Sequence, residues 1–486
     1  MQKSTFLEIM RTLNKEELKR FESFLSSPYF NTRTNTIKLF SIIKKYAPDF
    51  DNKLLEKEEV WKILFPGKDY NYGLFKNIIY DITKLTERFL EIENFNSDEI
   101  GRMKHLLKEL SGKNLKNIFL NKYNIIEKTF FKSSKFYHNY YEDYFDIKYC
   151  RFELEAFNPK DRTKLLASEN AELMIINFMA KFSNNFNNIY IEKTEYNEKT
   201  GNDLIDLFAA AVFSNENLDS YIEELSKGDN KNYKTAVIFF KLMKSYLNPQ
   251  DIKYYFEFRD TLFKNDKYIS EAAMRGLYAN LGSALDNCKD VSVNKNLELY
   301  YIFEHLVEKK IFAQEDGKVI PTLYLMTVKT AGYLKKPELI SKLLKDYLSK
   351  TDIELQENFK NYSLAYLHYS KNEFDPALEY SNKITIDTFQ LKYILKNLQI
   401  IISYEKNDFE MFLYLMDSQK HFLAKNKSVS ESYKKSNMKF LNYTNSIFKL
   451  RDKYNKTEIG ITDKLIKDDV VVNKQWLLEK LKDLKK

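Results

Sequence analysis

Between Leu74 and Phe89 the apolar residues Ile78, Ile82, Leu85 and Phe89 recur at steps of four, three and four, so on a helix they share one face. Lys76, Tyr80, Lys84 and Arg88 share another. Three shorter helices are predicted ahead of this one. Asn14 stands where a cap belongs before KEELKRFESFL, SSPYFN interrupts that run, Thr34 to Tyr46 forms the second, and KEEVWKILF forms the third after the loop APDFDNKL. FPGKDYNYG then turns the chain into the long helix. From residue 97 onward helix follows helix through the polar joints SNENLD, SKGDNKN, LNPQD and FKNDK, and joints of that length pack consecutive helices antiparallel. In YFDIKYCRFELEAF and IKYYFEFRDTLF the aromatic positions are too dense for one narrow stripe, which suits helices touched on two sides. No segment keeps a strand period, since the alternation in DDVVVNK, residues 468–474, is too short. The pattern predicts an all-α fold.

Two near-identical hexapeptides, YSKNEF from Tyr369 to Phe374 and YEKNDF from Tyr404 to Phe409, begin 35 residues apart, the length of one helical hairpin in a repeat array. In LAYLHYSKNEFDPALEYSNKI the first helix is expected to end near Tyr369 and SKNE to turn the chain. Phe374, Ala377 and Leu378 then pack a second helix back on the first, and the small Ala365 and Ala377 let the backbones approach. These residues resemble a tetratricopeptide repeat, with Ala365, Phe374 and Ala377 in the small, aromatic and alanine places of its pattern. The next unit keeps Tyr404 and Phe409 but has Phe412 in the alanine place. The preceding AGYLKKPELISKLL offers Gly332 and Tyr333, with Glu338 in the aromatic place. The resemblance spans about residues 325–450, and helix spacing alone extends it back to residue 97. It implies a tetratricopeptide-like α-solenoid of antiparallel hairpins with a concave surface that docks a protein or peptide.

Pro28, Pro48 and Pro66 lie close together and none follows until Pro159, a contrast that separates an N-terminal helical unit, residues 1–96, from the array, residues 97–486. Over residues 56–90 the stretch KEEVWKILFPGKDYNYGLFKNIIYDITKLTERFL resembles the helix-turn-helix part of antibiotic-regulatory-type winged-helix regulators, with Trp61 and Pro66 ahead of the long second helix. That resemblance implies a DNA-binding role in which Lys76, Tyr80, Lys84 and Arg88 face the major groove. The other reading is a small helical cap shielding the first repeat, since arrays need terminal caps with a polar outer face. A matching C-terminal cap is expected near residues 473–485, where Trp476, Leu477 and Leu481 of NKQWLLEKLKDLKK would seal the last hairpin.

Composition narrows the class. The 486 residues are 44% hydrophobic and 15% aromatic, which excludes global disorder, and 11 Gly with 8 Pro starve a β or loop-rich fold of turn residues. A net charge of +8 arises from 77 basic and 69 acidic side chains, only ten of them arginine. Nucleic-acid binders concentrate Arg and Lys more strongly, so the interleaved signs read first as solvated helix faces. Cys150 and Cys288 stand alone, without CxxC spacing, so neither a disulfide framework nor a zinc site is expected. The N-terminal MQKSTFLEIMRTLNKEELKR lacks the continuous apolar core of a signal peptide, and LIDLFAAAVF, from Leu204 to Phe213, has about half the length of a membrane span. A cytoplasmic protein without membrane attachment is expected.

Candidate chemistry is sparse. Gly67-Lys68 in FPGKDYN is not a phosphate-cradling loop, and no GxGxxG or GxSxG occurs. His138, Glu142 and Asp146 would line one helical face at a spacing compatible with a metal or acid/base group, but in a chain that is 30% charged such a spacing reads first as a solvated surface. The aromatic and basic stretch TFFKSSKFYHNYYEDYFDIKYC, Thr129 to Cys150, has two readings as well: a stacking platform for single-stranded nucleic acid, or rings that fill the seams between helices, with Glu142, Asp143 and Asp146 opposing phosphate. No catalytic, cofactor or metal residue is expected. The sequence points to a non-enzymatic scaffold or adaptor that binds a protein or peptide in a helical-repeat groove lined by Tyr, Asn and Lys, the alternative being a DNA-binding transcriptional regulator with a helical-repeat sensor region.

Overall fold

The computed structural model describes residues 3–131, 135–156, 166–195, 203–290, 293–314, 316–385, 389–425, 431–451, 457–468 and 471–484. Among them are 24 α-helices and no strand, the only β pairing being an isolated bridge between Phe136 and Ile269. The chain is all-α. It groups into two compact units, Met1–Asn124 with Asp146–Thr163, and Ile125–Phe145 with Lys164–Lys486.

In the first unit one continuous core of buried residues runs from Phe6 to Phe89. Helix Lys15–Ser26 starts as expected: the Asn14 side chain accepts from the Glu17 amide at 3.0 Å while Glu17 accepts from the Asn14 amide at 2.7 Å, a reciprocal capping box. The second helix, Thr34–Ile43, is shorter than the pattern predicts, because Lys44–Tyr46 tightens into a 3₁₀ turn. Ala47 is already extended, as a residue preceding proline must be. Helix Lys57–Leu64 buries Trp61, whose indole N–H donates to the Lys68 carbonyl at 3.0 Å and so ties the following turn to the core. The long helix, Tyr72–Ser97, outruns its predicted end by eight residues. Its buried face is Phe75, Ile78, Ile82, Thr86 and Phe89, with Leu85 only half-buried. Thr86 tolerates full burial because its hydroxyl donates to the Ile82 carbonyl at 2.7 Å.

In the second unit successive helices pack against one another: Pro321–Tyr333 on Pro337–Asp346, then Gln356–Ser370, Phe374–Asn382, Phe389–Glu405, Phe409–Lys425 and Glu431–Leu450 in turn. Pro321–Tyr333 also packs on Gln356–Ser370, one step beyond its chain neighbour. There Gly332 is required, since a Cβ at this position would come 2.5 Å from Cδ1 of Tyr366. Ala365 on Gln356–Ser370 and Ala377 on Phe374–Asn382 are fully buried, and these two helices pack on each other.

The repeated hexapeptides are helix stops. Asn372 and Asn407 hold left-handed φ values of 62° and 59°, and Lys335 and Lys310 do the same at 56° and 59°. Past each of them the backbone closes in one way: Glu373 N–H donates to the His368 carbonyl at 2.9 Å, Asp408 to Ser403 at 3.0 Å, Lys336 to Ala331 at 2.9 Å and Ile311 to Leu306 at 3.1 Å. This is the Schellman closure, which satisfies the last helical carbonyls and reverses the chain in three residues. Asparagine tolerates the left-handed well better than most residues that carry a Cβ.

In the aromatic stretch Phe131, Phe136, Tyr140 and Tyr141 are buried, and Phe131 stacks on Tyr144 with centroids 4.3 Å apart, while Tyr149 is 42% exposed. Its residues 132–134 lie outside the described set. The tyrosines of the repeat stretch are also mainly core, with Tyr324, Tyr362, Tyr366, Tyr369, Tyr393 and Tyr404 fully buried. The expected groove lining of tyrosine is thus corrected for these residues, whose large rings are needed between helices.

Candidate functional site

The first candidate, the face of helix Tyr72–Ser97 carrying Lys76, Tyr80, Lys84 and Arg88, is exposed at all four positions. Lys84 and Arg88 are engaged within the helix. Lys84 Nζ lies 2.6 Å from Glu87 and Arg88 2.9 Å from Glu91, each one helical turn on, and Arg33 pairs with Asp81 on the same helix. Lys76 borders a cavity with Lys57, Tyr72 and Phe75. After Phe89 the chain stays helical to Ser97 and resumes as helix Glu99–Gly112, which the Asp98 side chain caps by accepting from Gly101 N–H at 2.8 Å.

The second candidate, His138, Glu142 and Asp146, does not share a helical face. His138 lies in the turn before helix Tyr140–Ala156. Glu142 pairs with Lys181 at 2.6 Å, and Asp146 pairs with Lys104 at 2.8 Å. Among the described residues no group of three or more His, Cys, Asp or Glu side chains is arranged to hold a metal ion, and no helix is long and apolar enough to cross a membrane.

The third site is a seam in the second unit, built at the helix stops of the two hexapeptides. Lys335 donates to the Tyr369 carbonyl at 3.1 Å and to the Asn372 side chain at 2.7 Å, with its ammonium 4.2 Å from the Tyr369 ring centroid. Arg451 does the same to the other copy: it donates to the Tyr404 carbonyl at 2.8 Å and to the Asn407 side chain at 3.0 Å, with its guanidinium 3.7 Å from the Tyr404 ring centroid. Each cation meets the negative end of a helix, the side chain of the left-handed Asn and a ring face together. The Tyr and the Asn of the hexapeptide are thus one cation-binding unit used twice, by Lys335 from earlier in the chain and by Arg451 from later.

Helix Lys474–Asp483 lies across these stops. Trp476 packs edge-on against Tyr404, centroids 5.1 Å apart, and against Phe440 at 6.2 Å. Its indole N–H donates to Glu405 at 2.9 Å, and Lys480 pairs with the same carboxylate at 2.9 Å. Trp476, Leu477 and Leu481, the residues expected to seal the last hairpin, are the buried face of this helix. Burial pushes the Lys335 ammonium below its ordinary value and the Glu479 carboxyl above its own, the mark of a partly dehydrated seam.

Sequence reasoning found Trp476 but missed Lys335, Glu405 and Arg451. One signal for Glu405 exists: the two hexapeptides differ in kind only where Ser370 in the first is replaced by Glu405 in the second, and it is Glu405 that receives the terminal helix. Compared with protein-family models, curated proteins and solved structures, the chain matches none of them.

Proposed function

We propose that the second unit is a tetratricopeptide-like helical array acting as a non-enzymatic, cytoplasmic interaction scaffold, and that the seam at Tyr369, Tyr404, Glu405 and Phe440 receives an amphipathic helix of a protein partner. The observation that carries this reading is the seating of helix Lys474–Asp483 there, with Trp476 against the rings and Lys480 on Glu405. A surface that takes an intramolecular helix by one aromatic anchor, two leucines and one charge pair has the chemistry of helix-in-groove recognition. The helix already present gives the motif: a Trp with apolar residues one and five positions on, and a cation at the fourth.

The test uses the full chain with Trp476→Ala and Leu481→Ala, which frees the seam, and a labelled peptide copying residues 471–484. The peptide should bind this variant with micromolar affinity and bind the parent chain far more weakly. Equal binding to both, or none to either, defeats the groove reading. A second experiment decides the class of partner: affinity purification from native cells, split into nuclease-treated and untreated halves. Protein partners that survive nuclease support the scaffold. Defined duplex DNA, lost when Lys76, Lys84 and Arg88 are replaced and released steeply by salt, would instead support the DNA-binding regulator.

A further inference from the structure

Helix Asp203–Phe213 turns apolar residues to water. Leu204, Leu207 and Phe208 are 72%, 69% and 40% exposed, and exposed Ala211 completes an i, i+3, i+4, i+7 stripe. Helix Leu166–Glu195 repeats the spacing, with Met174, Ile175 and Phe178 at 56%, 60% and 40% following exposed Ala171. The rings of Phe178 and Phe208 lie 5.4 Å apart, so the two stripes are side by side. Both helices have a core face elsewhere: Ala209 and Phe213 are buried on one, and Leu173, Ile176 and Met179 on the other. Packing of this unit therefore does not account for the second stripes, and a contiguous apolar surface of this kind marks an interaction site, whereas scattered exposed apolar residues do not.

We propose that this two-stripe face is the contact between two copies of the chain, related by a two-fold axis so that the same stripes meet. At about 150–200 Å² for each large side chain when fully exposed, the six residues present roughly 600 Å² of apolar surface. Two copies burying it remove about 1,200 Å², the lower end of stable interfaces, before any polar rim is added. A two-fold contact places like residues near like, so it tolerates charge poorly at its centre, and the stripes carry none. By helical spacing Asp206 falls off its stripe, and Lys181, the cation one turn beyond Phe178, is paired with Glu142. An anionic lipid surface would call for a basic rim instead.

The test is sedimentation equilibrium of the full chain from about 1 to 100 μM, alone and with Leu207→Glu or Leu207→Lys. These substitutions lie on an exposed position and should leave the helical circular dichroism and melting temperature unchanged. The parent chain should be dimeric and each variant monomeric, and mixing the two variants should restore dimers through opposite charges. A parent chain that stays monomeric throughout overturns the proposal. So does a dimer that survives both substitutions, or binding to phosphatidylcholine/phosphatidylserine vesicles that is lost in the variants while the parent remains monomeric.

Discussion

Asn407 holds three things at once: a left-handed backbone, the end of helix Phe389–Glu405 and one hydrogen bond from Arg451. Asn407→Ala keeps the backbone demand but loses the side chain suited to it, and should cost about 1–2 kcal/mol of stability. Asn407→Gly removes the backbone cost and loses only the Arg451 bond, so its denaturant midpoint should fall closer to the parent than to the alanine variant. If glycine proves as damaging as alanine, the hydrogen bond rather than the backbone conformation dominates. The recurrence of this asparagine was legible in the sequence, and so was a chain reversal beside it. Its partner was not: Lys335 reaches Asn372 from 37 residues upstream and Arg451 reaches Asn407 from 44 residues downstream, so no fixed offset connects cation to stop.

Helices were the most legible elements, because local chemistry marks their ends, as Asn14 does for Lys15–Ser26; the structure adds Asn71 before the long helix and Pro at the starts of Pro321–Tyr333 and Pro337–Asp346. Where local marks compete, the reading slipped. Thr34 to Tyr46 was expected as one helix, yet its last turn tightens ahead of Pro48. Phe374 and Phe409 occupy the same place in the two hexapeptides, but Phe409 is 57% exposed, and it is Phe412 that is fully buried and stacks on Phe448 at 4.3 Å. How closely two helices approach is likewise a property of the pair. Gly332→Ala inserts a methyl group into the contact with Tyr366, and should destabilise the second unit by about 1–3 kcal/mol, with the calorimetric transition moving to lower temperature. An unchanged transition would mean that Tyr366 can move aside at no cost.

At the scale of the molecule, the second unit buries Tyr324, Tyr362, Tyr366 and Tyr369 among its rings, and this gives stability a direction in pH. Burial raises the phenol of Tyr324 from 10.0 to about 12, and it raises those of Tyr362, Tyr366 and Tyr369 as well. A group whose folded pKa lies above its unfolded value contributes stability that is full below the unfolded value and is lost as pH rises through the folded one. Cooperative unfolding is therefore expected between about pH 10 and 12, with phenolate absorbance rising together with loss of helix. Phenolate that appears near pH 10 with the helices intact would mean the rings are wet. Class, approximate helix ends and the buried face of Trp476, Leu477 and Leu481 could be read from periodicity and caps, whereas the seam could not, because Glu405, Phe440 and Trp476 are brought together by tertiary packing alone. The chain has two tryptophans, and they are divided between the units: Trp61 lies in the core of the first and Trp476 in the seam of the second. The protein thus carries its own pair of lamps. With Trp61 replaced by phenylalanine, the remaining emission reports the seam alone, and a partner that displaces the terminal helix should shift it to the red without any attached dye.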